Sequence, residues 1–222
     1  MTAVRDHADL TLDELRLALG PDLAAAAVFD GWSDTAICHA ASLRRVDPAV
    51  ARIAFEGGPM AMIEAWIAAT DAAMLARFAD GGLDGLPVRE RIRQLVQFRL
   101  DAIAGKEEAL SRALAIMAMP QNAARGLRLG WKSADAMWRL AGDTATDYNH
   151  YTKRAILGSV YAATLAVFAA DSSEGKAETA AFLDRRLQGI LRFEKAKARF
   201  LAPDREHFSL VRLLGRLRYP AR

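Results

Sequence analysis

The chain has 222 residues, 52% hydrophobic and 26% charged, which is too apolar for a disordered polymer and long enough for one large domain or a small one fused to a larger. A formal charge of +3 is too small by itself to mark a nucleic-acid binder, whose footprint is a strongly basic face. The single cysteine, Cys38, excludes an intrachain disulfide and zinc sites built on paired thiolates, and it suits a reducing compartment.

The predicted elements are helical throughout. Ala, Leu and Arg are good helix formers, and turn-bounded stretches of β-branched residues are missing, so no strands are expected. Thr11 to Glu14 reads as a capping box, and Gly20-Pro21 is expected to break or bend the helix that begins there. After the Gly31-Trp32 turn, Ser33 can cap a second helix, "DTAICHAASLRRV". Asp47-Pro48 opens a short third one, because proline suits a first helical turn. Gly57-Gly58-Pro59 precedes a long fourth helix. "DGGLDGLP" is a Gly-rich linker expected to divide a small N-terminal unit, residues 1–80, from a helical bundle, residues 86–202.

The bundle continues with "VRERIRQLVQFRLDAI", then "KEEALSRALAIMAM" up to Pro120, then "QNAARGLRLGWKSADAMWRLAG" ending at Gly142. "DYNHYTKRAILGSVYAATLAVFAA" and "GKAETAAFLDRRLQGILRFEKAKARFLA" come next, and a last helix spans 207–218, giving about ten helices. The N-terminus lacks a basic-then-apolar signal peptide and is acidic, unlike a transit peptide. No apolar run is read as reaching the roughly 18–20 residues of a spanning helix. A cytoplasmic protein, or one peripheral to a membrane, is expected. Three short helices before a larger bundle are the layout of TetR-like regulators, an analogy of fold that does not give function.

The candidate recognition helix, Pro48 to Phe55, offers Arg52 alone among apolar residues, flanked by Asp47 and Glu56. A major-groove reader needs base-reading polar groups with phosphate-binding cations around them, so DNA binding is not expected. In the last helix Leu210, Leu213, Leu214 and Leu217 share one face. Arg212 and Arg216 lie opposite, Arg218 flanks the leucines, and no acid occurs after Glu206. An interfacial membrane helix and a terminal helix packed on its own bundle or on a dimer partner both fit that pattern.

"MWRLAGDTATDYNHYTKR", Met137 to Arg154, is the most chemically varied stretch. Asp143, Asp147 and His150 do not form the Glu-x-x-His pairs that a di-iron bundle needs, and no metal is expected. There is no Gly-x-Ser-x-Gly nucleophile and no phosphate-binding Gly loop ending in Lys-Ser/Thr. Asp143 and Asp147 have simpler work around a helix end. What remains is either a binding corner with an aromatic hot spot or a core Trp and Tyr pair with caps around it.

The run from "MWRLAGDTATDYNHYTKR" through "AILGSVYAATLAVFAADSSEGKAETAAFLDRRLQGILRFEKAKAR" closely resembles the Coq-nine family, TetR-like accessory proteins of ubiquinone (coenzyme Q) biosynthesis. "VFDGWSDTAICHAA" and "MAMPQN" fit as well; departures fall at Ala145, His150 and Ala180. The resemblance implies an all-α TetR-like fold that has lost DNA binding and has an apolar pocket for isoprenoid lipids, including quinone intermediates. It implies a non-catalytic, cofactor-free protein that draws the quinone from the bilayer and presents it to the di-iron hydroxylase acting on demethoxyubiquinone. A partner-binding patch would comprise Asp135, Met137, Trp138, Asp143 and Asp147. Met117, Met119, Trp131, Tyr148, Tyr151 and Tyr161 are expected to line the lipid pocket, since soft and aromatic side chains suit a prenyl tail. The resemblance favours membrane attachment by the last helix, through Leu210, Arg212, Leu213, Leu214, Arg216, Leu217 and Arg218. A homodimer on the inner face of a bacterial plasma membrane is expected. The alternative is a TetR-type ligand-responsive transcriptional regulator.

Overall fold

The computed structural model describes residues 10–144 and 148–201, the side chains at 148, 149 and 190–201 excepted. The expected last helix, with Leu210, Arg212, Leu213, Leu214, Arg216, Leu217 and Arg218, lies outside the described residues, as does Asp147. The described chain is all-α. In order come α1 (Leu12–Asp30), α2 (Asp34–Leu43), α3 (Pro48–Ala54), α4 (Pro59–Arg77), α5 (Val88–Ile103), α6 (Glu107–Ala118), α7 (Pro120–Leu140), α8 (Tyr148–Ala170) and, after one 3-10 turn, α9 (Ala177–Leu201). The chain divides into two compact units, one ending at Leu187 and one beginning at Gln188. Among the described residues the second consists of the remainder of α9.

Local chemistry sets most helix starts. Thr11 and Glu14 form the reciprocal capping box, Ser33 accepts the Ala36 N–H, and Asp47 accepts the Ala49 N–H ahead of Pro48. Proline also opens α4 and α7, where its missing N–H would have no helical partner anyway.

Gly20-Pro21 does not break the chain; α1 runs through both residues to Asp30. The reason lies on α4, the helix on which α1 packs most closely. A Cβ at Gly20 would stand 2.7 Å from the Ala65 carbonyl oxygen, so the glycine permits backbone contact between the helices. Leu15, Leu19 and Leu23 are buried in α1, and burying such a side chain stabilises by about 1.5–3 kcal/mol. That packing holds the helix across the one hydrogen bond that Pro21 removes.

The Gly-rich segment at 79–86 does not separate two domains either. α4 before it packs on α5, α6 and α7 after it, and everything to Leu187 is one unit. Trp32 ties the early helices to the later ones, donating its indole N–H to the Ala109 carbonyl at 3.0 Å while its ring tilts against Trp66 at 5.5 Å. Against the sequence reading, His150–Ala170 in α8 is long and apolar enough to cross a membrane. Its Ser, Thr, Tyr and Gly residues interrupt the run without lowering its mean hydropathy enough to disqualify it. The same helix packs on α5, α6 and α7.

Candidate functional site

Two neighbouring features lie along α7 and α8: a charged corner and an apolar cavity. The corner begins where α7 ends. Gly142 takes a left-handed conformation, φ +86°, natural for glycine at this position. Its N–H returns to the Arg139 carbonyl at 3.0 Å, and the Asp143 N–H reaches back to the Trp138 carbonyl at 3.0 Å, a Schellman closure. The closure turns the Asp143 carboxylate inward toward α8.

There Asp143 accepts from Lys153 at 2.8 Å and from Arg154 at 3.0 Å. Arg154 also donates to Asp135 on α7 at 2.5 Å, and Arg139 pairs with the other Asp135 oxygen at 2.8 Å. Arg154 is 2% exposed. Burial alone would lower its pKa, but the hydrogen bonds and charges of the two carboxylates outweigh this and hold it above the ordinary arginine value. Trp138 is half-buried, its indole N–H donating to the Lys153 carbonyl at 3.0 Å and its ring lying 5.4 Å from the Lys153 ammonium. Met137, expected on the same face, is fully buried. One helical step carries a side chain about 100° round the axis, so the residue beside Trp138 turns into the core. Of the patch expected from sequence, Asp135, Trp138 and Asp143 are therefore brought together and Met137 is not. Asp143 points inward and fastens α7 to α8.

The cavity lies among α4, α5, α6, α7 and α8 and has a volume of about 120 Å³. Met117 and Tyr161 line it with Ile63, Trp66, Leu110 and Leu165. Through Met117, Gly126, Gly130 and Gly158 it shares its wall with a larger apolar groove of about 650 Å³, which Trp131 and Leu127 border. A Cβ at Gly130 would meet nothing within 4 Å, so this part of the wall is open. Of the other expected lining residues, Met119 stands exposed at the α6–α7 junction and Tyr151 is 62% exposed. Tyr151 packs beside Trp131 with ring centres 6.2 Å apart, at the groove rather than in the cavity. The Tyr148 side chain lies outside the described residues.

Sequence reasoning missed the polar end of this cavity. Arg99, 2% exposed, pairs with Asp71 of α4 and donates to Tyr161 at 2.8 Å and to Ser133 at 3.1 Å. Burial alone would lower the Arg99 pKa; Tyr161 and Asp71 together keep it above the ordinary value. Arg99 lies between Leu95 and Ile103 on the apolar face of α5, and that spacing was the signal to read.

Among the described residues no three His, Cys, Asp or Glu side chains gather to hold a metal ion. Arg52, the cation of the candidate recognition helix, is bound to both oxygens of Asp34 at 2.7 and 2.9 Å, and its exposed neighbours Val50 and Ile53 are apolar. The pairing leaves that helix with little for a phosphate or a base edge.

Residues 123–194 match the profile of the COQ9 family. The ubiquinone biosynthesis protein COQ9, mitochondrial, of Rattus norvegicus is 41% identical over 100 residues, covering 45% of this chain and 32% of the relative. The Homo sapiens protein of the same name is 38% identical over 100 residues, covering 45% and 31%. The Xenopus tropicalis protein is 28% identical over 164 residues, covering 71% and 51%. The chain thus spans about a third to a half of the length of these relatives. Among solved structures, a TetR transcriptional regulator from Nitrosomonas europaea superposes with a TM-score of 0.64 at 20% identity, covering 81% of this chain and 99% of that one. The described fold is TetR-like.

Proposed function

From the match of residues 123–194 to the COQ9 family we propose that the chain belongs to that family and is a non-catalytic accessory protein of ubiquinone biosynthesis. In this reading it takes isoprenoid quinone intermediates from the membrane and presents them to a di-iron hydroxylase. The observation that carries it is the overlap between the family segment and the cavity. That segment contains α8 and nearly all of α7, the two helices that wall both cavity and groove and carry Trp131 and Trp138.

The chemistry of the cavity and of the α7 face supports this reading. Soft and aromatic side chains such as Met117, Trp66 and Trp131 accept a flexible prenyl chain without demanding one shape. Trp131 and Trp138 are seven residues apart on α7 and so share a helix face. A ligand in the Trp131 groove would stand on the side where Trp138 offers a half-buried aromatic anchor to a partner. The leucine-faced, arginine-rich segment 207–218 supplies the membrane contact in this scheme, with the protein a dimer peripheral on the inner face of the plasma membrane.

Lipid extraction and mass spectrometry of the protein purified from quinone-containing cells provide the test. Isoprenoid lipid should be recovered, and the protein should float with anionic liposomes. Lipid-free protein that ignores liposomes would count decisively against the reading.

A further inference from the structure

The cavity is apolar except where Arg99 of α5 meets Tyr161 of α8 and Ser133 of α7, and where Thr70 of α4 lines it. Thr70 donates to the Trp66 carbonyl at 2.9 Å. Ser133 accepts from Arg99 and donates to Asp71 at 3.2 Å. The Tyr161 oxygen accepts from the Arg99 Nε–H at 2.8 Å, and among the described residues nothing accepts the proton of Tyr161 itself. Tyr161 is only 5% exposed. A buried donor left without an acceptor is destabilising, and the space it borders is where an acceptor would be stabilised.

The surroundings define that acceptor. Asp71 neutralises Arg99, so the end of the cavity carries no net positive charge. A carboxylate or phosphate head would bring a second anion beside Asp71 in a poorly solvated place, whereas a neutral carbonyl brings lone pairs and no charge. Size restricts it further. A volume of about 120 Å³ suits one six-membered ring, since a cavity of about 150 Å³ holds benzene. A long tail has to lie elsewhere, and the wall is open at Gly130 toward the apolar groove.

We propose that Tyr161 reads the head group of an apolar ligand. Its hydroxyl donates to a neutral carbonyl oxygen on a benzoquinone-sized ring lodged in the cavity, and the tail passes Gly130 and Gly158 into the groove beside Trp131. Arg99 is a positioning residue that fixes the Tyr161 oxygen and so aims its proton. The assignment rests on the lipid-binding reading above and adds to it a head-group chemistry and an orientation.

The test is displacement of an apolar environment-sensitive dye from the full chain by decyl-substituted benzoquinone, decylbenzene and decanoate. The benzoquinone should bind roughly three- to tenfold more tightly than decylbenzene, the range of one neutral hydrogen bond. Tyr161→Phe should erase that margin and leave decylbenzene binding where it was. A margin absent in the wild type, a margin surviving in Tyr161→Phe, or decanoate binding best would overturn the assignment while leaving apolar binding intact. Failure of all three compounds to displace the dye would remove the lipid-binding reading with it. The wild-type ranking needs no variant, so it decides the matter even if Tyr161→Phe folds poorly.

Discussion

Among the described residues two arginines are each 2% exposed; Arg99 stands among the polar groups at the end of the cavity, and Arg154 borders the neighbouring groove. Arg154 is held between Asp135 and Asp143, whose remaining oxygens are taken by Arg139 and Lys153. Arg99 shares one carboxylate with a serine and spends another donor on a tyrosine hydroxyl. The first arrangement is closed, with charge meeting charge and the α7–α8 corner fixed. The second hands a proton on to the cavity. A buried cation is thus a fastening or part of a site according to whether its network ends on itself or at a cavity.

The largest expected effect separates the two directly. Arg154→Met should leave Asp143 and Asp135 without their shared buried partner, at about 3–5 kcal/mol, the usual loss on breaking a buried ion pair. At roughly 2–4 °C per kcal/mol for a chain of this size, the melting temperature should fall by about 6–20 °C. Arg154 also borders the groove, so it is the margin of decyl-benzoquinone over decylbenzene, measured well below the melting transition, that should stay near the wild-type value. A variant that melts like the wild type but loses that margin would reverse the roles assigned to the two arginines.

The next effect concerns the face rather than the fastening. Trp138 keeps part of its ring outside although its indole N–H is tied to α8. Trp138→Ala should weaken binding to a demethoxyubiquinone hydroxylase by about 2 kcal/mol or more, the size of an aromatic hot spot. That is roughly thirtyfold in Kd by calorimetry or surface binding. The melting temperature should change less than in Arg154→Met. Full hydroxylase affinity in a variant of lowered stability would make Trp138 a packing residue instead.

Much of this architecture can be read from local chemistry. Thr11 with Glu14, Ser33, Asp47-Pro48, Pro59 and Pro120 mark helix starts because a cap or a missing N–H acts within one turn. Gly20-Pro21 misleads for the complementary reason: the contact against which α1 continues unbroken comes from Ala65, far along the chain. Met117 and Tyr161 can be anticipated only once the resemblance implies a lipid pocket, as soft and aromatic residues suited to a prenyl tail. The polar end of the cavity cannot, because nothing near Arg99 in sequence says that Asp71, Ser133 and Tyr161 arrive beside it. Met137 shows the opposite limit: the resemblance places it in one patch with its neighbour Trp138, and helical geometry turns it into the core.

A third buried charge sharpens the contrast, because its side chain is satisfied by uncharged donors. Asp171, at the end of α8, accepts from the Ser173 N–H at 2.8 Å and hydroxyl at 2.5 Å, and from the Thr179 N–H at 2.8 Å and hydroxyl at 2.6 Å. The Ser173 and Thr179 side-chain bonds, more than the backbone ones, hold its carboxyl well below the ordinary aspartate range. The folded pKa is therefore below the unfolded one, near 3.9. The stabilisation is fully present above that unfolded value and drains away as pH falls beneath it toward the folded pKa. Asp171→Asn cannot accept four such bonds and should melt below the wild type at pH 7. The gap should narrow steadily from about pH 4 downward. Taking the wild-type-minus-variant difference removes the acids common to both, including Glu64 and Glu90, whose pKa values are also lowered by arginine partners. A gap independent of pH would mean that Asp171 acts by shape alone, without the charge on which its four donors converge.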